Sequence, residues 1–279
     1  MISVVVITHN RRKLLRHCVE NVLLRTSGET GEILVWDNGS TDGTSAYLES
    51  VQDSRLRAVR NPVNLGHSAY RLAVELITGD HLIMVDDDVV DAPPGWDAVL
   101  LHAFRRLSDV GFLATDLRQN EHNDVAVMRH RVRAHLYEEQ TENGVRILTG
   151  PVGGWCAMTA RDIYHRAGGF RVNAKETYWL WDAAYIEDIA RIGYRAAILA
   201  DLQVLHGAPW REAPPVAKVE FARRLRRRTR GKNQIKRALL ALPAVRSANA
   251  KHAWFQPPDD EWERHITRVA LGNGDRGPS

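Results

Sequence analysis

The stretch His81-Leu82-Ile83-Met84-Val85-Asp86-Asp87-Asp88 decides the fold. Five residues suited to a buried strand run straight into three consecutive carboxylates. Burying unpaired charge costs several kcal/mol or more, so the strand must end where the aspartates begin. In an open α/β sheet that exposed C-terminal end is where ligands bind. Alternate side chains of an extended strand point the same way, so Asp86 and Asp88 face one ligand and Asp87 turns away. Hard oxygen ligands of this kind suit Mg²⁺ or Mn²⁺, which commonly carry phosphates. The other reading of the triplet is an acidic turn that caps a following helix.

Working outward, the same grammar repeats. Residues 2–7 are an uninterrupted apolar, β-branched run broken by Thr8-His9-Asn10. Apolar residues at helical spacing follow over 11–25. A second strand, 32–36, ends at Asp37-Asn38-Gly39-Ser40, and a helix begins near Thr41. A short strand over 57–60 leads through Asn64-Leu65-Gly66 to a helix expected over 67–78. Strand-helix alternation from the first residue predicts an α/β fold with a mixed, mostly parallel central sheet flanked by helices. Farther along, a helix is expected over 96–107, a charge-rich excursion over 117–145, helices over 159–166 and 185–192, and an extended segment from 196. Pro209, Pro214 and Pro215 mark a boundary. A basic helix over 216–241 and a short amphipathic segment near 262–270 lie beyond it.

Composition narrows the class. With 279 residues and 44% hydrophobic content the chain can bury a substantial core. Its two cysteines, Cys18 and Cys156, form no CxxC pair, which fits a reduced, cytoplasmic setting. The start shows no secretory pattern, and no apolar run approaches the ~20 residues of a membrane span. Net charge is +4, yet nine Lys or Arg residues and no acidic ones lie between Arg223 and Arg237. Without those nine the rest of the chain stands at −5. The basic character is local and marks a contact surface. An anionic membrane surface, an anionic acceptor, and a solvated face paired with the acidic body are all open readings. No nucleic-acid module accompanies it, and the acidic remainder argues against nucleic acid as a partner.

Taken in order, the motifs resemble glycosyltransferase family 2, the GT-A-fold enzymes that transfer a sugar from a nucleotide diphosphate. Val5-Val6-Ile7-Thr8-His9-Asn10 resembles the family's opening strand and loop. Trp36-Asp37-Asn38-Gly39-Ser40-Thr41-Asp42-Gly43-Thr44 matches its D-N-G-S-T-D-G-T element. Asn64-Leu65-Gly66 with Arg71 follows, then Asp86-Asp87-Asp88 as the metal-binding D-x-D. Gly168-Gly169-Phe170 precedes Trp181-Asp182, where the family's catalytic E-D falls. His206 matches the histidine that closes the domain. The resemblance covers about residues 2–207.

It implies a division of labour. Residues 1–110 would form the nucleotide-sugar half, 111–215 the acceptor and catalytic half of the same domain, and 216–279 a basic helical extension. Thr8, Asn10, Arg12, Asp37, Asn38, Ser40, Asn64, Gly66, Arg71, Asp86 and Asp87 would bind the nucleotide, with Asp37 accepting the imide N–H of a uracil-type base. Asp88 and His206 would hold Mn²⁺ or Mg²⁺. Asp182 would be the base that inverts the anomeric centre by direct displacement. The expected Glu before it is Trp181, and Glu187-Asp188 is an intact pair farther on, so Asp188 is the alternative base. Trp155, Trp179 and Trp181 would line the acceptor site. The expected partners are a nucleotide-sugar donor, with UDP favoured, and an acceptor hydroxyl of a glycan, glycolipid or cell-surface polysaccharide precursor. Peripheral contact with an anionic membrane would run through 223–237. The alternative is a non-catalytic nucleotide or carbohydrate binder that retains the fold.

Overall fold

The computed structural model describes residues 1–118, 136–178, 180–207 and 216–252. They fall into two compact units, one ending at residue 207 and one beginning at 216. In the first, strands β1 (Ile2–Thr8), β2 (Thr30–Asn38), β3 (Leu56–Asn61), β4 (His81–Asp86) and β5 (Val89–Asp91) alternate with helices α1 (Arg12–Arg25), α2 (Thr44–Ser50) and α3 (Ala69–Val74). Helix α4 (Trp96–Arg106), β6 (Val110–Leu117), β7 (Glu138–Glu142), β8 (Val145–Thr149) and β9 (Cys156–Ala160) come next. Helices α5 (Arg161–Arg166) and α6 (Trp181–Arg191) precede β10 (Arg195–His206). The second unit holds α7 (Val216–Ala241) and α8 (Pro243–His252).

The ten strands form one sheet in the order β3-β2-β1-β4-β9-β6-β10-β8-β7, with β5 paired to β10. Strands β9, β8 and β5 run against the rest, so the sheet is mixed and mostly parallel. Central strands covered on both faces must be apolar throughout. Val4, Val5 and Val6 of β1 and Leu82, Ile83 and Met84 of β4 meet this demand and are fully buried.

Four elements differ from the sequence reading. The helix expected over 67–78 is a short 3₁₀ turn, Gly66–Ser68, running into α3, which stops at Val74. The Glu32 carboxylate accepts the Thr78 and Gly79 backbone N–H groups that a longer helix would use internally. Within the expected excursion, β7 and β8 form a hairpin whose turn residues, Asn143 and Gly144, both have positive φ. Asn-Gly is the turn pair that such a two-residue connection requires. Residues 119–135 of that excursion, and the 262–270 segment, lie outside the described residues. The stretch 156–160, partly assigned to a helix, is a strand held between β4 and β6. Helix α6 begins at Trp181, four residues earlier than expected, which puts Asp182 in its first turn.

Candidate active site

Register aligns the strand ends. Thr8 lies opposite Asp37 across β1 and β2, and Ile7 lies opposite Asp86 across β1 and β4. The polar residues that follow each strand therefore gather on one edge of the sheet. Asp37 is buried, and its carboxylate accepts the Ser40 N–H at 2.9 Å and the Ser45 hydroxyl. Asn38 and Asn64 lock together: the Asn38 amide donates to Asn64 Oδ1 at 3.0 Å and to the Gly66 carbonyl, while its oxygen accepts the Leu65 N–H. Gly66 has φ +57°, and a Cβ there would sit 1.7 Å from the Thr177 carbonyl oxygen, so only glycine fits. Next to it, the His67 N–H donates to that same carbonyl at 2.9 Å. Asn10 adopts φ +54°, and its side-chain oxygen accepts the Thr41 N–H at 2.7 Å, while Ser40 Oγ accepts the Asn10 N–H.

The aspartate triplet divides as expected, although only Asp86 lies in β4 and Asp87 and Asp88 form the turn that follows it. Asp86 and Asp88 face His206, and one ligand atom from each of the three lies within 4.8 Å of the others. His206 Nε2 is 3.1 Å from Asp88 Oδ1 and 3.2 Å from Asp86 Oδ2. The histidine arrives from far along the chain because β5 folds back against the end of β10, pairing Val89 with His206. The Gly207 N–H donates to the Asp88 carbonyl at 2.8 Å and fixes the crossing. Two carboxylate oxygens and an imidazole nitrogen make a donor set suited to Mn²⁺ or Mg²⁺. Asp86, Asp88 and His206 can therefore hold a divalent cation. Asp87 points the other way, is 5% exposed, and accepts the Thr8 hydroxyl at 2.7 Å. Its carboxylate is satisfied inside the protein, not presented to a nucleotide.

The cation facing this cluster is Arg11, a residue the sequence reading passed over in favour of Arg12. Arg11 forks between Asp87 Oδ1 at 2.5 Å and Asp88 Oδ2 at 2.7 Å. Arg12 instead gives its backbone N–H to Asp42 and lays its guanidinium against Gly43. Burial pushes the Asp87 carboxyl up to about 6, against the pull of Arg11. Burial opposes ionisation of Asp88 as well, but His206 and Arg11 reverse that and hold it well below the carboxylate range. Burial would lower His206; Asp88 and Asp86 outweigh it and carry the imidazole up to about 9.

Arg71, expected at the nucleotide, has other partners. It donates to the Gly168 carbonyl and pairs with Glu75 at 3.9 Å, so it fastens the Gly168-Gly169 turn and does not face the aspartates. Trp155 and Trp181 are core residues and form no open platform. The Trp155 indole N–H donates to the Thr115 carbonyl at 3.0 Å. Trp181 is 5% exposed and packs on Tyr70 and Phe170 at centroid distances of 4.5 and 5.0 Å. Trp179 lies outside the described residues.

The two candidate bases have different surroundings. Asp182 is half-buried, and its oxygens accept the Gly154 N–H at 2.9 Å and the Ala183 N–H at 2.8 Å. Burial raises its carboxyl, with a further push from Asp86, while the two backbone donors and His67 pull it down. Gly154 leads into β9, and the Asp86 N–H donates to the Trp155 carbonyl at 2.8 Å. Asp188 lies in the next turns of α6 under a double clamp. Arg171 binds both of its oxygens, at 2.7 and 2.6 Å, and Arg191 binds Oδ1. Both oxygens of Asp188 are thus engaged by guanidiniums within the protein.

Residues 3–168 match the profile of glycosyl transferase family 2. Glycosyltransferase GlyG of Streptococcus pneumoniae serotype 4 is 34% identical over 94 residues, covering 32% of this chain and 31% of its own length. An uncharacterized glycosyltransferase of Haemophilus influenzae is 28% identical over 99 residues, 34% of this chain and 30% of its own. Both matches thus span less than a third of the relative. The mannosyltransferase PcManGT from Pyrobaculum calidifontis, solved with GDP-Man and Mn²⁺, is 20% identical with a TM-score of 0.59, over 99% of this chain and 88% of that one. Staphylococcus aureus TarS 1–349, solved with UDP-GlcNAc, is 15% identical with a TM-score of 0.57, over 96% and 70%. These two share the fold. With the family profile matched over more than half its length, and the strand-end motifs gathered on one edge, the chain belongs to glycosyl transferase family 2.

Proposed function

We propose that the protein is an inverting glycosyltransferase that moves a sugar from a nucleotide-diphosphate sugar, UDP-linked, to an acceptor hydroxyl of a glycan, glycolipid or cell-surface polysaccharide precursor. The observation that carries this reading is the convergence of Asp86, Asp88 and His206 at the sheet edge that also bears Asp37 and Asn38. Residues 1–110 serve the donor and 111–215 the acceptor. Asp37, with Thr8, Asn10, Asn38, Ser40, Asn64 and Gly66, shapes the nucleotide pocket. Each Asp37 oxygen keeps a lone pair for a base N–H beyond its internal bonds. Asp86, Asp88 and His206 would hold Mn²⁺ or Mg²⁺, which when bound neutralises charge developing on a diphosphate.

Asp182 takes the proton of the attacking hydroxyl. Its raised affinity for a proton suits that task, and the Gly154 and Ala183 N–H groups hold its carboxylate in place. A single base and a single displacement invert the anomeric carbon. Residues 223–237 place the enzyme peripherally at an anionic, cytoplasmic membrane face. Among the described residues no helix is long and apolar enough to cross a membrane.

Incubation with a panel of nucleotide sugars and Mn²⁺, read by nucleotide release and product mass, tests the reading. Turnover with UDP-sugars supports it. Tight nucleotide binding with no turnover across donors and acceptors would favour the non-catalytic reading, which Trp181 in place of the usual Glu recommends.

A further inference from the structure

Helix α7 presents two chemistries on one outward stripe. Positions 228, 232, 235 and 239 follow 4-3-4 spacing, which stacks side chains along one face of a helix, and 242, the first residue past the helix, continues the row. The first two are Arg228 and Lys232, both exposed. The next three are aliphatic and open to solvent: Ile235 is 64% exposed, Leu239 40% and Leu242 54%. Arg227 and Arg230, also exposed, flank the basic half. The buried members of the helix, Ala222 and Asn233, lie roughly 120–140° around the helix from this stripe. No acidic residue occurs between Glu220 and the end of the helix.

We propose that this stripe docks α7 in the plane of an anionic lipid bilayer. Ile235, Leu239 and Leu242 enter the boundary between headgroups and acyl chains, and Arg227, Arg228 and Lys232 engage headgroup phosphates. The inference rests on the peripheral membrane contact proposed above and gives it a defined face and an apolar component. Three aliphatic side chains in water have no driving force to stay there, and an interfacial helix combines such a row with a cationic flank. The unbroken positive charge selects an anionic bilayer over an acidic-and-basic protein surface.

Vesicle co-sedimentation of the full chain separates the two readings. Wild type should bind phosphatidylcholine vesicles containing phosphatidylglycerol and not pure phosphatidylcholine. The triple variant Ile235→Ser/Leu239→Ser/Leu242→Ser should bind about 100-fold more weakly, at roughly fivefold per residue for partial burial. Arg227→Ser/Arg228→Ser should lose about 25-fold at low salt and little at high salt. Circular dichroism checks that helix content is unchanged. A fluorophore on Leu239→Cys should shift to the blue on vesicle binding. No binding by wild type removes the membrane contact itself. Binding that is salt-sensitive but indifferent to the triple substitution, with no blue shift, overturns the apolar docking while leaving an electrostatic contact. Self-association abolished by the triple variant would assign the stripe to a second copy, and tighter retention on single-stranded RNA than on vesicles would assign it to nucleic acid; either overturns the proposal.

Discussion

Arg11→Met removes the guanidinium that bridges Asp87 and Asp88 while keeping a flexible side chain. Breaking a buried ion pair from one side costs about 3–5 kcal/mol, because a charge is left without a partner. Arg11 is 25% exposed, against 7% for Asp87 and 14% for Asp88, so water replaces part of the loss. The lower end, about 3 kcal/mol, is expected in chelator at pH 8. The sign of the pH dependence follows from Asp87. Its folded value of about 6 lies above the ordinary 3.8, so its ionisation erodes stability as pH rises through that interval. Arg11 restrains that rise, and removing it extends the window upward. The variant should therefore lose most at pH 8 and only about 1 kcal/mol at pH 5, where Asp87 holds a proton. Mn²⁺ should bind the variant more tightly, because Arg11 no longer competes for Asp88 Oδ2. At a free concentration 100 times its Kd the ion adds back about 2.7 kcal/mol. Urea denaturation at pH 5 and 8, in chelator and in excess Mn²⁺, reads all four cases. Unchanged stability at pH 8, or a loss independent of pH, would refute the reasoning.

Asp182→Asn should slow transfer about 10²–10⁴-fold with nucleotide affinity intact, whereas Asp188→Asn should retain turnover and lower thermal stability by freeing Arg171 and Arg191; single-turnover assays and melting curves distinguish them, and the reverse pattern makes Asp188 the base. His206, raised to about 9 from 6.5, contributes stability below 6.5 that is lost as pH climbs through 9. A metal requires the neutral imidazole, so Mn²⁺ affinity should rise with pH by up to tenfold per pH unit below about 9, with proton release seen by calorimetry in buffers of differing ionisation enthalpy. Gly66→Ala must push the Thr177 backbone away and adopt a positive φ. Nucleotide affinity should fall at least about tenfold with a small shift in melting temperature, and titration calorimetry would show it.

The strand ends were legible because apolar residues give way there to carboxylates: the apolar runs stop at Asp37 and Asp86, although the β2 ladder continues through Asn38 and buries Asp37, whose carboxylate is satisfied by Ser40 and Ser45. The pairing of Asp86 with Asp88 was expected from period-two geometry, but β4 ends at Asp86 and it is the turn of Asp87 and Asp88 that sets Asp88 beside His206. What escaped were choices made by tertiary contacts. Arg11 and Arg12 are neighbours at a loop-to-helix junction, and nothing in their spacing says which turns inward. Trp155 and Trp181 look like sugar platforms until the Gly153-Gly154 turn and Tyr70 are seen to enclose them; a Cβ on Gly154 would sit 2.4 Å from the Trp181 ring. Arg71 reads as a donor-site cation only without knowledge of the Gly168 carbonyl. The β7–β8 hairpin did carry a local signal, Asn143-Gly144, hidden within a charge-rich stretch.

The hydrogen bond from Asp86 to Trp155 has a consequence for how such a site can change. Asp86 stands on one rung of the sheet, and the adjoining rung leads back through Gly154 to Asp182. The spacing between Asp86 and Asp182 is therefore set by two hydrogen bonds to the segment that leads into β9. Loops around the edge can be exchanged, and with them the ligands of the proposed reaction, while that spacing stays constant. Selection can revise the clientele of this scaffold without retuning its chemistry.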